Sequence, residues 1–155
     1  MNENNPKQPT IVLGIGNLLL GDEGIGVHAV RALMCENWPS GIEIMEIGTA
    51  LLDALPALSE AGRVVVIDAM KAEGNPGTIY RTSLDDCSGV RNIASMHGFD
   101  LARVMALAGR REVPPVTIFG VEPASLAWSM DLSGPVAAAL PPLLDVVRDE
   151  LHACH

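Results

Sequence analysis

Apolar positions along the chain fall into two kinds of run. Thr10-Ile11-Val12-Leu13-Gly14-Ile15, Arg63-Val64-Val65-Val66-Ile67-Asp68 and Val116-Thr117-Ile118-Phe119-Gly120-Val121 are short, nearly continuous and rich in β-branched residues. That is the signature of strands covered on both faces. Ile42 to Ile47 predicts a further strand. Thr78 to Thr82, only the turn Glu73-Gly74-Asn75-Pro76-Gly77 away from the third, predicts a short antiparallel neighbour. Between these runs, apolar residues recur at helical spacing over about 25–37, 50–61, 98–108 and 136–152. The first helix should bury Ile25, Ala29, Val30, Leu33 and Met34, the one at 98–108 Leu101, Val104, Met105 and Ala108, and the last Leu140, Leu143, Leu144, Val147 and Leu151. Pro56 bends or breaks the second helix, the acidic stretch 83–92 reads as loop, and Pro141-Pro142 mark where the regular part of the last helix starts. Strands alternating with helices predict an α/β fold. The expected form is a three-layer αβα arrangement with a mixed, mostly parallel, five-stranded twisted sheet.

Length changes this picture little: 155 residues suit a single domain, with 1–9 and 153–155 as flexible ends. Charge changes it more. Ten Lys and Arg stand against 19 Asp and Glu, for a formal charge of −9. The cations are scattered singly apart from Arg110-Arg111, which argues against nucleic acid and against an anionic membrane surface. The mean hydropathy of +0.28 is not concentrated in any span of the ~20 apolar residues that crossing a bilayer needs. Residues 1–8 lack an export signal, so the expected location is cytoplasmic. Cys35, Cys87 and Cys154 form no Cys-x-x-Cys pair and read as reduced thiols, not as a disulfide framework or zinc ribbon.

The first chemical signal is the loop after strand one, Gly14-Ile15-Gly16-Asn17-Leu18-Leu19-Leu20-Gly21-Asp22-Glu23-Gly24-Ile25-Gly26. A Gly-x-Gly-x-x-Gly turn would place a pyrophosphate on the helix N-terminus. Here Leu19 takes the third glycine position, and Asp22 and Glu23 stand where the phosphate would sit. Two carboxylates there repel an anion and suit a cation. Asp22 either caps the helix or orients Glu23. The flanking glycines leave Glu23 open to a close-approaching chain.

Asp68, closing strand three, falls where open α/β sheets collect ligands: the carboxyl ends of strands, near a switch in strand order. His97 in Ser95-Met96-His97-Gly98 opens a helix, a position that favours the neutral, metal-coordinating imidazole. His28 reads as a surface group, and His152 and His155 belong to the terminus. Glu23, Asp68 and His97 together offer two carboxylates and an imidazole, a set suited to zinc, nickel or manganese with positions left open.

The same positions carry a resemblance. Gly14-x-Gly16-Asn17-x-Leu19-x-x-Asp22-Glu23-Gly24-x-Gly26, followed by Gly48-Thr49, Asp68-Ala69, Pro76-Gly77-Thr78, Ser95-x-His97 and Gly120-Val121-Glu122-Pro123, resembles the nickel-iron hydrogenase maturation endopeptidases from about Thr10 to the last helix. The resemblance implies an enzyme that removes a C-terminal extension from the hydrogenase large-subunit precursor after nickel insertion. It carries the family's metal-binding glutamate, aspartate and histidine onto Glu23, Asp68 and His97. The implied metal is the nickel of the substrate bridging to the enzyme, with zinc or cadmium able to substitute. Where the family pattern has an aspartate and a glycine before Gly-Thr, this chain has Glu46-Ile47, which makes Glu46 a candidate supporting or specificity residue. The rival readings are a non-catalytic nickel-sensing maturation chaperone and a degenerate nucleotide-binding domain.

Overall fold

In a computed structural model, which describes residues 7–89, 94–95 and 98–153, the elements run β1 (Thr10–Ile15), α1 (Ile25–Met34), β2 (Ile42–Gly48), α2 (Leu55–Glu60), β3 (Arg63–Lys71), β4 (Ile79–Ser83), α3 (Leu84–Gly89), β5 (Ala94–Ser95), α4 (Gly98–Leu107), β6 (Val116–Val121) and α5 (Gly134–His152). Tight 3-10 turns at Gly21–Gly24 and Leu51–Ala54 precede α1 and α2. The main sheet has the order β2-β1-β3-β6-β4. β1 is parallel to β2 and β3, β6 is parallel to β3, and β4 is antiparallel to β6. The expected mixed, mostly parallel sheet of five strands is therefore present. The two-residue β5 adds a short antiparallel pairing to Met70–Lys71.

Side-chain alternation along the buried strands divides the core in two. Ile11, Leu13 and Ile15 of β1, with Val64, Val66 and Met70 of β3, pack with Leu58 of α2 and with Leu101, Val104 and Met105 of α4. Val12, Val65, Ile67 and Ala69 face the other way, onto Ile25, Ala29, Val30 and Leu33 of α1 and Val136, Leu143, Val147 and Leu151 of α5. Each fully buried side chain of this kind contributes about 1.5–3 kcal/mol over leaving it in water, and the outcome is the three-layer αβα arrangement. Among the described residues no helix is long and apolar enough to cross a membrane.

Several elements depart from the sequence expectation, each for a local reason. α1 stops at Met34 because the indole N–H of Trp38 folds back to donate to the Leu33 carbonyl at 2.8 Å. This leaves Met34 exposed. The break at Pro56 is real: a 3-10 turn comes first, and Pro56 then occupies the first turn of α2, where its missing N–H costs nothing. The stretch at 83–92, expected as loop, contains α3, opened by the Asp86 N–H donating to the Ser83 hydroxyl. β3 runs three residues past Asp68. α5 is continuous through Pro141 and Pro142 instead of starting there. Both prolines are exposed, as are Ala137 and Ala138 four residues back, so solvent reaches the carbonyls that lose their helical partners. His152 is not frayed but stacks on Trp38 with ring centroids 5.5 Å apart.

Candidate active site

The chain leaves β1 for β2 on one side and lies against β3 on the other, so the strand order reverses between β1 and β3. The carboxyl ends of these strands form the crevice where α/β sheets bind ligands. Gly14 and Ile67 pair in register, and the two leading candidates flank that pair: Glu23 in the 3-10 turn after β1, and Asp68 next to Ile67 on β3. Two glycines make the approach possible. Gly16 has φ of +133°, and a Cβ there would collide with the Glu23 carbonyl oxygen. A Cβ on Gly26 would collide with the carbonyls of Ile67 and Ile15. The turn can therefore lie flat on the strand ends, which leaves Glu23 8% and Asp68 0% exposed. Asp68 Oδ1 accepts the Ala69 N–H at 2.8 Å.

Asp22 does something the sequence did not disclose. It does not cap α1: no side-chain cap bond closes either the turn or the helix. Its carboxylate reaches more than a hundred residues along the chain. Oδ1 accepts the Ser133 N–H at 2.8 Å, and Oδ2 accepts the N–H groups of Ala124 and Ser125 and the Ser133 hydroxyl at 2.7–2.9 Å. Burial pushes the Asp22 carboxyl up, but these donors outweigh it and hold the group below the ordinary aspartate value. Asp22 is thus the brace between the Glu23 turn and the segment after β6.

The remaining candidates separate. His97 lies outside the described residues; its described neighbours are Ser95, paired with Met70 of β3, and Gly98, which opens α4. Among the described residues no group of three His, Cys, Asp or Glu side chains is arranged to hold a metal ion. His28, expected at the surface, has its Nε2 buried. Glu46 is held by a two-pronged ion pair with Arg31 of α1, at 2.7 and 2.9 Å. Glu122, present in the sequence reading only as part of a motif, is buried at the end of β6 and accepts the Ala72 N–H just beyond β3 at 2.7 Å. Burial, with the neighbouring Glu122 carboxylate, pushes the Tyr80 phenol up. Beside the end of β2 a groove of about 620 Å³ runs between Thr49–Asp53 and the Asp100–Leu107 side of α4. It lies on the sheet face that carries Val64, Val66 and Met70, the face on which strand alternation also places Asp68.

Buried acids stand at the switch point of this α/β sheet, where a nucleotide phosphate would otherwise sit. The chain belongs to the hydrogenase maturation protease family: the family model of that description (HycI) matches residues 27–150, a stretch that begins just after Glu23 and contains Asp68 and His97. It is 35% identical over 142 residues to the hydrogenase 2 maturation protease of Escherichia coli K12, covering 88% of this chain and 87% of that protein. The structure of the hydrogenase maturating endopeptidase HybD from E. coli superposes with a TM-score of 0.81 at 31% identity, covering 94% of this chain and 93% of the other. The hydrogenase 2 maturation peptidase from Thaumarchaeota archaeon SCGC_AB-539-E09 gives a TM-score of 0.72 at 30% identity, covering 93% and 98%. The chain is thus an enzyme of the endopeptidase class.

Proposed function

We propose that this chain cleaves the C-terminal extension from the large-subunit precursor of a nickel-iron hydrogenase once nickel is in place, and that Glu23, Asp68 and His97 meet that nickel. The observation that carries the reading is the convergence of two buried carboxylates, Glu23 and Asp68, on the switch-point crevice of a hydrogenase maturation protease. Carboxylate oxygens and one imidazole suit a borderline divalent ion such as nickel and accept zinc or cadmium in its place. His97 joins the set through its sequence position, between a residue registered to Met70 and the start of α4.

Nickel carried by the substrate supplies a Lewis acid and an anchor that sets the scissile peptide at the crevice. The chain's own residues do the rest. Glu23 and Asp68 hold the nickel-bearing segment, and Glu23, the more exposed of the two, takes a proton from the attacking water and passes it to the amine that leaves. The groove between Thr49–Asp53 and α4 receives the extension beyond the cut.

The test is to incubate the purified chain with nickel-loaded and with nickel-free precursor and to weigh the large subunit intact. Loss of the extension from the loaded form alone is expected. A loaded precursor that binds but keeps its extension contradicts the reading and favours a non-catalytic nickel-sensing chaperone.

A further inference from the structure

Aromatic residues are scarce in this chain, with two Trp, one Tyr and two Phe, yet Trp128 is 79% exposed. Trp38, by contrast, is half-buried, with its indole N–H bonded to Leu33 and its ring stacked on His152. Trp128 has apolar company. Met130 is 59% and Leu19 48% exposed, and Ser129, between the two, donates its N–H to the Leu19 carbonyl at 3.0 Å and accepts the Gly21 N–H at 2.8 Å. Leu20 and Ser129 form a parallel bridge, so Leu19 lies one residue from that pairing on one segment, as Trp128 and Met130 do on the other. Three exposed large apolar residues thus flank one backbone contact, whose other segment leads within two residues to Glu23.

That contact is rigid. Asp22 holds the segment on both sides of Trp128, at Ala124–Ser125 and at Ser133. Inside it, the Ser129 hydroxyl accepts the Asp131 N–H at 3.0 Å and the Ser125 hydroxyl accepts the Ala127 N–H at 3.3 Å. A side chain presented on a braced loop has already lost its freedom, so binding through it forfeits little entropy. Exposed tryptophan held this way is the usual kind of interface anchor.

We propose that Leu19, Trp128 and Met130 form the surface that docks the folded body of the large-subunit precursor, as distinct from the extension that is cut. This rests on the function proposed above. A large apolar side chain held in water on a braced loop is one that a pocket on a folded partner can bury. A folded body has concavities, whereas an extended tail fits into a groove on the enzyme. Because the patch is hydrogen-bonded to the Glu23 turn, a partner seated on it lies directly beside the crevice.

The experiment uses the Trp38→Phe chain, in which Trp128 is the single tryptophan, titrated with nickel-loaded precursor under fluorescence. A saturable blue shift of Trp128 emission is expected. In the otherwise unaltered chain, Trp128→Ala and Leu19→Lys should each weaken precursor binding and raise KM roughly tenfold or more. kcat should stay within about twofold and the melting curve should not change, since both side chains are exposed. Unchanged Trp128 emission at saturating precursor, or wild-type KM in both variants, overturns the proposal. So does an emission shift that follows the concentration of the chain itself, which would assign the patch to a second copy. A precursor that binds with the expected shift and is left uncut supports the docking surface and contradicts the proteolytic reading, so the two failures are distinct.

Discussion

Asp22 and Ser133 are joined twice: the serine N–H donates to Oδ1 at 2.8 Å and its hydroxyl to Oδ2 at 2.7 Å. With the N–H groups of Ala124 and Ser125 on Oδ2, the carboxylate of Asp22 accepts four hydrogen bonds while almost fully buried. Asp22→Ala leaves these donors without an acceptor and should lower stability by about 2–4 kcal/mol. It should also raise KM for the precursor by loosening the segment that carries Trp128. Urea unfolding at neutral pH and steady-state processing check the two effects. Unchanged stability would remove Asp22 from its role as the brace.

The same carboxylate sets an acid limit. The folded state holds Asp22 below its ordinary value, and Glu150 is held down in the same direction: burial pushes it up, but the Arg81 and Arg63 guanidiniums on it prevail. Depressed folded values mean that both contributions are complete above the unfolded pKa values, about 4, and vanish as pH falls through the lower folded ones. Urea midpoints should therefore hold steady from pH 7 to about 5 and drop steeply below about 4. In Asp22→Asn the drop should be shallower, because that carboxylate no longer titrates. An equally steep acid limb in Asp22→Asn would contradict the assignment.

Gly26→Ala drives a methyl group into the carbonyls of Ile67 and Ile15, which are backbone and cannot swing aside. The variant should lose about 1–3 kcal/mol from overpacking. It should also process poorly even at temperatures where it is folded, because the Glu23 turn is lifted off the end of β3. Thermal melting followed by a processing assay well below the midpoint separates the two effects. Wild-type processing would show that the close seating of the turn is immaterial.

Glu46 should prove to be a strut. Its carboxylate is committed to Arg31, at a half-exposed site between β2 and α1, and surface pairs of this kind contribute little to stability. Glu46→Gln should leave both the melting temperature and the processing rate close to wild type. A large fall in rate with an intact fold would instead make Glu46 a specificity residue.

What could be read from the sequence follows from where the determining contacts lie. β1, β3 and β6 were legible because strands buried on both faces must be unbroken runs of Val and Ile, as at Val64–Ile67. The alternation of strands and helices pointed to the carboxyl ends of the strands, where Glu23 follows β1 and Asp68 adjoins Ile67 on β3. Asp85 and Asp86 read as loop acids in the sequence, yet they stand in the first turn of α3. Ser83, whose hydroxyl accepts the Asp86 N–H, was the available helix-start signal. The role of Asp22 was not legible, because its partners lie 102 to 111 residues away and no local pattern encodes them. Nor was the burial of Glu122, or the exposure of Trp128, since both depend on tertiary neighbours.

The most direct measurement is the intact mass of the large subunit after nickel-loaded precursor is incubated with Glu23→Gln, Asp68→Asn and His97→Ala in parallel with the unaltered chain. With the unaltered chain the extension should be shed. Each of the three variants, melting within a few degrees of it, should leave the precursor at full length. Processing at the unaltered rate by any one of them would contradict the claim that this trio receives the substrate's nickel.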